Sequence, residues 1–427
     1  MNAIPEVRVE LQRLELSGQA RGRAQGKLVF VWGGLPQESV TARVTRRSRH
    51  SLSCVATEIH TPSVHRVAPC EDHYLTCSPW QILAEEQEPH YKAALVAELF
   101  SREFQLQLPD FPVATSASYG YRNKMEFSFT DTPEGLSLAF FERESHRRKI
   151  PLAGCLLGAP AINEAARHVR DVLRGAGVSA EPLKSLVLRS NQRGQVAAAL
   201  YVREAIRPIC DQVCALPNIT GMRVFFSNPR SPAAVADELL EGTGTEILVE
   251  EVFGKTFHYS DRSFFQVNIP LYERVLTDMR AFLDEPTCVY DMYAGVGTIG
   301  ICAGAPRTVF VESDPDCLGF LRENCERNGA GDVEVLAAPA EKIVDCIPAP
   351  ATVILDPPRA GIHPRVLTRL LNSRPRRVIY LSCNPQTQAH DLRILGEVYQ
   401  LVHFSGYNFF PRTPRIETLA VLDRRVS

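Results

Sequence analysis

The sequence predicts a multi-domain α/β protein. A small β-barrel comes first, then a mixed α/β central domain, then a doubly wound parallel α/β domain. Three observations predict it. The 427 residues exceed one ordinary domain. Residues 6 to about 65 read as short strands separated by glycines, a pattern of small closed barrels. From Phe257 onward, short apolar runs alternate with helical patterns, the signature of a parallel sheet wrapped by helices. The expected domains are 1–65, 66–255 and 256–427, with part of 93–117 packing on the last.

In the barrel segment, Val7–Leu11 and Val40–Val44 alternate apolar and polar residues, and Lys27–Val31 is strand-like. Gly18, Gly22 and Gly26 punctuate the first connection, and Gly33–Gly34 the second. Arg43, Arg46, Arg47, Arg49 and His50 form a basic cluster, suited either to phosphates or to guarding a solvated edge. Leu95, Val96, Leu99 and Phe100 then recur at helical spacing. Tyr121–Phe127 opens the central domain, and Ala161–Arg174 carries the apolar stripe of a helix.

The formal charge is −2, from 47 basic and 49 acidic residues. Global charge does not advertise a nucleic-acid partner, so any such contact rests on local patches. No signal segment or membrane span is expected. The twelve cysteines are scattered rather than crowded into a small frame, which points to a reducing, cytoplasmic setting with any special cysteines catalytic or metal-bound.

Two polar signatures follow strand-like runs in the last domain. Val353-Ile354-Leu355 ends in Asp356-Pro357-Pro358-Arg359, and Arg377–Leu381 ends in Ser382-Cys383-Asn384-Pro385. Open α/β sheets bind ligands at that edge. Cys383 is therefore a candidate nucleophile rather than a core thiol. Upstream, Val289–Gly300 reads as strand, glycine turn and helix start. Gly295 and Gly297 permit close backbone approach to a ligand. Glu312, ending the next strand, is placed to accept from ribose hydroxyls. These features alone leave NAD and other adenosyl cofactors open. Asp291 and the Asp356-Pro357-Pro358 turn favour S-adenosylmethionine.

Together, Ser263–Asn268, Asp291–Gly297, Asp356–Gly361, Ser382–Thr387 and Phe410–Glu417 resemble, in that order, the motifs of the RNA uracil-5 methyltransferases. The amino-terminal barrel resembles a TRAM domain, an OB-like RNA-binding barrel. The resemblance implies S-adenosylmethionine as cofactor, held around Gln266, Tyr293, Glu312 and Asp356, and RNA as substrate. It implies Cys383 as the nucleophile adding to uracil C6 and Glu417 as the base removing the C5 proton. Asp356 would orient the ring by accepting from N3–H. Phe409 and Phe410 are candidate stacking platforms, or core aromatics. Large-subunit 23S rRNA is the first expected substrate and tRNA the second. A monomer is expected.

Relatives of this kind often hold a 4Fe–4S cluster on four cysteines. Cys70, Cys77 and Cys155 match three of them, while Trp80 stands where the fourth is expected. His73 could complete a site, Cys70, His73, Cys77 and Cys155 would also suit zinc, and three bare thiols are the alternative. Pro339 replaces a polar residue that relatives carry near the adenine, and Arg415 replaces a histidine two residues before the base.

Competing readings are weaker. Adenine amino-methyltransferases carry an aromatic after Asp-Pro-Pro, where this chain has Arg359. RNA cytosine-5 methyltransferases use a second cysteine in the Pro-Pro segment, which this chain lacks. A non-catalytic RNA-binding or ribosome-assembly factor would have no need of Cys383, Glu417 and Asp356 together. An iron–sulfur electron carrier would need the missing ligand.

Overall fold

The computed structural model describes residues 5–145, 147–231, 234–283, 288–343 and 347–425. Strands β1 (Glu6–Leu14), β2 (Ala20–Ala24), β3 (Lys27–Trp32), β4 (Ser39–Arg47) and β5 (Ser51–Thr61) close a barrel in the order β1-β2-β3-β5-β4. Alternation in β1 sends Val7, Val9 and Leu11 inward, as a two-residue period requires. The stretch expected as a connection around Gly22 is itself strand β2. Gly22 faces Leu11 beside a bulge, and a Cβ there would lie 2.2 Å from the Glu10 carbonyl oxygen. Glycine thus marks a close strand approach, not a turn.

The segment after residue 65 also belongs to the barrel. Trp80, Ile82 and Leu83 complete its core, and Arg66 pairs with the buried Glu38. Although the sequence assigns residues from 66 onward to the central domain, the apolar residues between 80 and 83 have their partners inside the barrel.

The helix Glu88–Phe104 packs Val96, Leu99 and Phe100 into the core of the last domain. Strand β6 (Val113–Ala114) adds to that domain's sheet, parallel to a strand near the carboxyl end. Next come β7 (Lys124–Thr132), β8 (Gly135–Phe141), β9 (Lys149–Leu152), β10 (Leu183–Ser190), β11 (Val196–Val202), β12 (Ile219–Phe226) and β13 (Glu238–Gly244). They form one sheet in the order β13-β12-β11-β10-β7-β8-β9. It is covered by the helix Pro160–Gly175, which buries Ile162, Ala166, Val169 and Leu173. A hairpin of β14 (Ile247–Val252) and β15 (Lys255–Ser260) follows. The expected boundary at 255/256 falls one residue inside β15 and so divides this hairpin. Asn324, on the helix Pro315–Arg327, bonds the backbone of His258 in both directions, so the hairpin packs with the last domain.

That domain contains β16 (Val289–Met292), β17 (Arg307–Glu312), β18 (Asp332–Ala337), β19 (Thr352–Leu355), β20 (Arg377–Ser382), β21 (Tyr399–Tyr407) and β22 (Glu417–Arg424). The sheet order is β18-β17-β16-β19-β20-β22-β21-β6. Strands β16 to β20 pair in parallel, and β22 runs antiparallel to β20. The order reverses between β16 and β19, which opens a crevice at their carboxyl ends. Among the described residues, no helix is long and apolar enough to cross a membrane.

A buried ionic cluster joins the helix Glu88–Phe104 to the loop before β22. Glu88 lies 2.9 Å from Lys92 Nζ and 3.5 Å from Arg412 Nη1, with all three side chains almost wholly buried. Glu88 also accepts from the Arg412 amide at 2.9 Å, and Arg412 donates to the Gln81 and Leu83 carbonyls. Removing the one anion would leave two buried cations uncompensated. Glu88→Gln is therefore expected to cost about 3–5 kcal/mol of stability, seen as a lower urea midpoint with an unchanged slope.

Candidate active site

The crevice gathers residues from five strands, β16, β17, β19, β20 and β22. Asp291 lies within β16, fully buried, and its carboxylate accepts from the Gly300 amide at 2.8 Å. Desolvation pushes its pKa up to about 7. This bond fixes the turn between β16 and the helix Thr298–Ala303. Within the turn, Tyr293 (φ 67°), Gly295 (φ 57°) and Gly297 (φ 89°) all lie in the left-handed region. A non-glycine residue held there is strained, and such strain clusters at ligand-binding turns. The two glycines do different things. A Cβ on Gly297 would strike Leu321 at 2.5 Å, whereas one on Gly295 would enter open space. Gly297 thus lets a helix close in, and Gly295 leaves room beside the crevice.

Glu312, ending β17, curls back onto this turn. Its carboxylate accepts from the Gly295, Ser313 and Asp314 amides at 2.6–2.7 Å. The acidic group and the open glycine thus share one wall. Phe264, Gln266, Tyr293 and Asp356 line the same cavity. Gln266 is buried and donates to Asp356 at 3.4 Å. Burial raises the Asp356 carboxyl to about 7, and the Gln266 bond opposes that rise. Phe264 is 61% exposed. An aromatic left in water at the mouth of a polar pocket is available to a planar ligand. Sequence reasoning passed over it, although it sits inside a motif already singled out.

Cys383 follows β20 and precedes the helix Pro385–Leu395, capped by the Asn384 side chain. Its thiol is partly exposed. Burial, then Glu417 and Asp356, push its pKa up, while Arg359 opposes them. Glu417 opens β22 and is 4% exposed. One of its oxygens, Oε2, has no hydrogen-bond partner among the described residues. Burial, then Asp356, lift the group to about 8, against the pull of Arg359. A buried carboxyl with a free oxygen beside a thiol is costly for stability and useful for proton transfer.

A braced frame holds these groups. Asn384 donates to the Arg359 carbonyl at 2.8 Å, tying the Pro-Pro turn to the cysteine loop. Asp391 accepts from the Ile362 amide at 3.0 Å and the Tyr380 hydroxyl at 2.9 Å. Gln388, fully buried, donates to the Tyr380 and Thr418 carbonyls and accepts from the Thr418 hydroxyl. It thereby fixes Glu417's strand against the strand that leads to Cys383. Neither Gln388 nor Asp391 was singled out in the sequence. The signal was a pair of polar residues on the buried face of an amphipathic helix, a rare place for them.

The barrel reaches this cleft. Leu16 and Ser17 line one depression with Cys383, Gln386 and Arg415, and a Cβ on Gly18 would lie 2.7 Å from Pro414. The aromatics divide. Phe409 is wholly buried in the core, so it is no stacking platform. Phe410 is partly buried with the Arg122 guanidinium 5.7 Å from its ring. The basic residues Arg46, Arg47, Arg49 and His50 are exposed at the far end of β4.

The expected metal residues do not all meet. Glu71, His73, Cys77 and Cys155 bring their ligand atoms within 4.8 Å of one another. Cys70 stands outside, exposed, with the Tyr119 hydroxyl 3.5 Å from its sulfur. Trp80 is buried and donates its indole N–H to the Gly18 carbonyl. Cys70 is not in this converging group, and Glu71 is in it, a member that no cysteine pattern announces.

Comparisons agree with this layout. Residues 245–425 match the family model described as tRNA (Uracil-5-)-methyltransferase. An uncharacterized RNA methyltransferase of Nitratidesulfovibrio vulgaris is 28% identical over 98% of this chain and 96% of its own length. One from Enterococcus faecalis is 25% identical over 98% of both chains. Among solved structures, the Pyrococcus abyssi tRNA (uracil-54, C5)-methyltransferase in complex with S-adenosyl-L-homocysteine superposes with a TM-score of 0.78, at 23% identity, over 97% of this chain and 100% of that one.

Proposed function

We propose that this chain, similar to RNA methyltransferases over nearly its whole length and to the tRNA (uracil-5-)-methyltransferase family model over residues 245–425, methylates uridine C5 in RNA through a covalent Cys383 adduct, with S-adenosylmethionine as methyl donor. The observation that carries the reading is the buried Glu417 oxygen, without a partner among the described residues, near enough to the Cys383 thiol for its charge to raise the thiol's pKa. A uridine methylated at C5 must lose a proton there, and only a dry, free carboxyl is suited to take it.

Uracil C5 is a weak nucleophile. Addition of the Cys383 thiolate to C6 places an enolate across C5, C4 and O4, so that C5 can attack. S-adenosylmethionine supplies the electrophilic methyl when bound, and Gln266, Tyr293, Gly295, Gly297, Glu312 and Asp356 are the residues that would hold it. The open space at Gly295 and the Glu312 carboxylate beside it fit such a ligand. Glu417 then removes the C5 proton, and the electrons of that C–H bond expel the Cys383 sulfur from C6. Asp356, held by Gln266, orients the ring through N3–H. The raised pKa of Cys383 makes the thiol the resting form. Arg359, whose charge favours the thiolate, and Arg415, close to Cys383, both sit at the mouth.

The target base must leave its stack to reach this floor. Exposed Phe264 stands at the cavity of Tyr293 and Asp356, and the barrel loop at Leu16 and Ser17 lines the depression at Cys383. Large-subunit 23S rRNA remains the first substrate to test. Transfer RNA is the second, favoured by the name of the matching family model and of the archaeal structure.

The test is nucleoside mass spectrometry of 23S rRNA and tRNA from cells with and without the gene. Loss of 5-methyluridine from either confirms the chemistry and assigns the RNA, and no loss from both refutes it. A local consequence is also measurable. Gly295→Ala would place a methyl in the open space and strain a left-handed residue by about 1–2 kcal/mol. It is expected to weaken S-adenosylmethionine binding by about tenfold, equivalent to about 1.4 kcal/mol, as read by calorimetry.

A further inference from the structure

We propose that Glu71, His73, Cys77 and Cys155 form a mononuclear zinc site, in place of the iron–sulfur cluster that the cysteine pattern suggests. Their ligand atoms converge within 4.8 Å of one another. The set of two thiolates, one imidazole and one carboxylate matches the donors and number that tetrahedral zinc takes. A 4Fe–4S cluster takes four thiolates, and only two are at hand. Cys70 turns outward to Tyr119, and the Trp80 indole is committed to the barrel.

A second observation points to a ligand. His73 is 9% exposed, and its Nε2 has no hydrogen-bond partner among the described residues. Glu71 Oε1 lies 3.3 Å from that nitrogen without forming a hydrogen bond to it. An imidazole nitrogen facing a carboxylate oxygen in this way becomes satisfied when a cation lies between them. The outer contacts of the set are also built. Glu71 accepts from the Leu156 amide at 2.7 Å and from Gln81 at 2.8 Å. The Cys155 amide donates to Asn163 at 2.8 Å. The Phe140 ring meets His73 edge-on at 5.7 Å. Such contacts fix the orientation of metal ligands. Three ligands come from the segment that closes the barrel and one from the central domain, so the ion would pin the two together. This site is separate from the methyl-transfer cleft, and the inference stands whatever RNA is modified.

The test is metal and acid-labile sulfide analysis of the full chain, expressed with both zinc and iron supplied. One zinc per chain, without sulfide or a visible chromophore, is expected. The cobalt(II)-loaded protein should show thiolate-to-cobalt charge transfer and the intense ligand-field bands of a tetrahedral ion. Cys70→Ser should keep the full zinc content. Glu71→Gln, which preserves side-chain size, and His73→Ala should each lose stoichiometric zinc. Circular dichroism on both variants separates this loss from misfolding. Four irons and four sulfides per chain would overturn the proposal. So would metal loss on Cys70→Ser, or failure of the folded parent chain to retain zinc after anaerobic reconstitution with zinc chloride.

Discussion

Replacing Cys383 with alanine is expected to stop methyl transfer, lowering turnover by at least about 10⁴-fold, while S-adenosylmethionine binds within about twofold of the parent. The size of the effect follows from the chemistry. Without addition at C6, uracil C5 has no enolate character, and no other group in the cleft can supply it. Loss of a covalent nucleophile elsewhere costs up to about 10⁶-fold. The proposed cofactor wall of Tyr293, Gly295, Gly297 and Glu312 does not involve the thiol, so binding is expected to survive. Methyl incorporation into RNA measures the first quantity and calorimetry the second. A companion experiment uses RNA carrying 5-fluorouridine at the target. The parent enzyme should form a stable adduct, because no C5 proton is available for release, and the variant should form none. Retained methylation by Cys383→Ala would remove the thiol from the reaction.

Glu417→Gln should slow turnover by about 10²–10⁴-fold but leave the first half of the reaction intact. Cys383 can still add and C5 can still be methylated, so the methylated covalent adduct should accumulate on ordinary uridine RNA. Denaturing gels would show it as a shifted band that the parent enzyme does not build up. Normal turnover in this variant, or slow turnover with no adduct, would exclude Glu417 as the base. The variant also has a stability signature. In the folded protein Glu417 titrates near 8, against an ordinary value of 4.5. Between those values the folded chain holds a proton that the unfolded chain has released, so stability falls as pH rises through that window. The neutral amide should flatten this slope and melt above the parent at alkaline pH. The same titration requires parent turnover to rise toward pH 8, as the base becomes free to accept.

Much of this site was legible because its chemistry lies at chain positions with local signatures. Asp356 and Cys383 each follow a short run rich in apolar and β-branched residues, the mark of a buried strand. Gly295 and Gly297 mark a turn whose backbone angles other residues avoid. The barrel was legible from period-two alternation, although β2 was concealed by the glycine that lets it pack closely. What stayed hidden depends on partners far away in sequence. Glu88 and Lys92 look like an ordinary surface pair on a helix, and only their contacts with Asn408 and Arg412 bury them. Gln388 and Asp391 look solvated until strands on either side are placed. The metal residues show both limits. The family resemblance pointed to Cys70, Cys77 and Cys155, but the direction of the Cys70 side chain and the convergence of Glu71 with Cys77 and Cys155 depend on the folded loop. The barrel's share of the chain was hidden for a similar reason, since the apolar residues between 80 and 83 carry no mark of which core will receive them.

The helix Glu88–Phe104 has a further consequence for biosynthesis. Lys92 lies 316 residues before Asn408, with which it bonds. At about 5–20 residues per second, the nascent chain holds that helix for roughly 15–60 s before its partner leaves the ribosome. Until β16 to β20 follow, Val96, Leu99 and Phe100 have no sheet to cover them, and throughout the interval Glu88 and Lys92 have only each other. The barrel and central sheet can mature meanwhile, each from contiguous chain. Slow translation of the last third should therefore expose this helix to chaperones or proteases, and a ribosome stalled before Val289 should carry a chain with two finished domains and one adhesive arm.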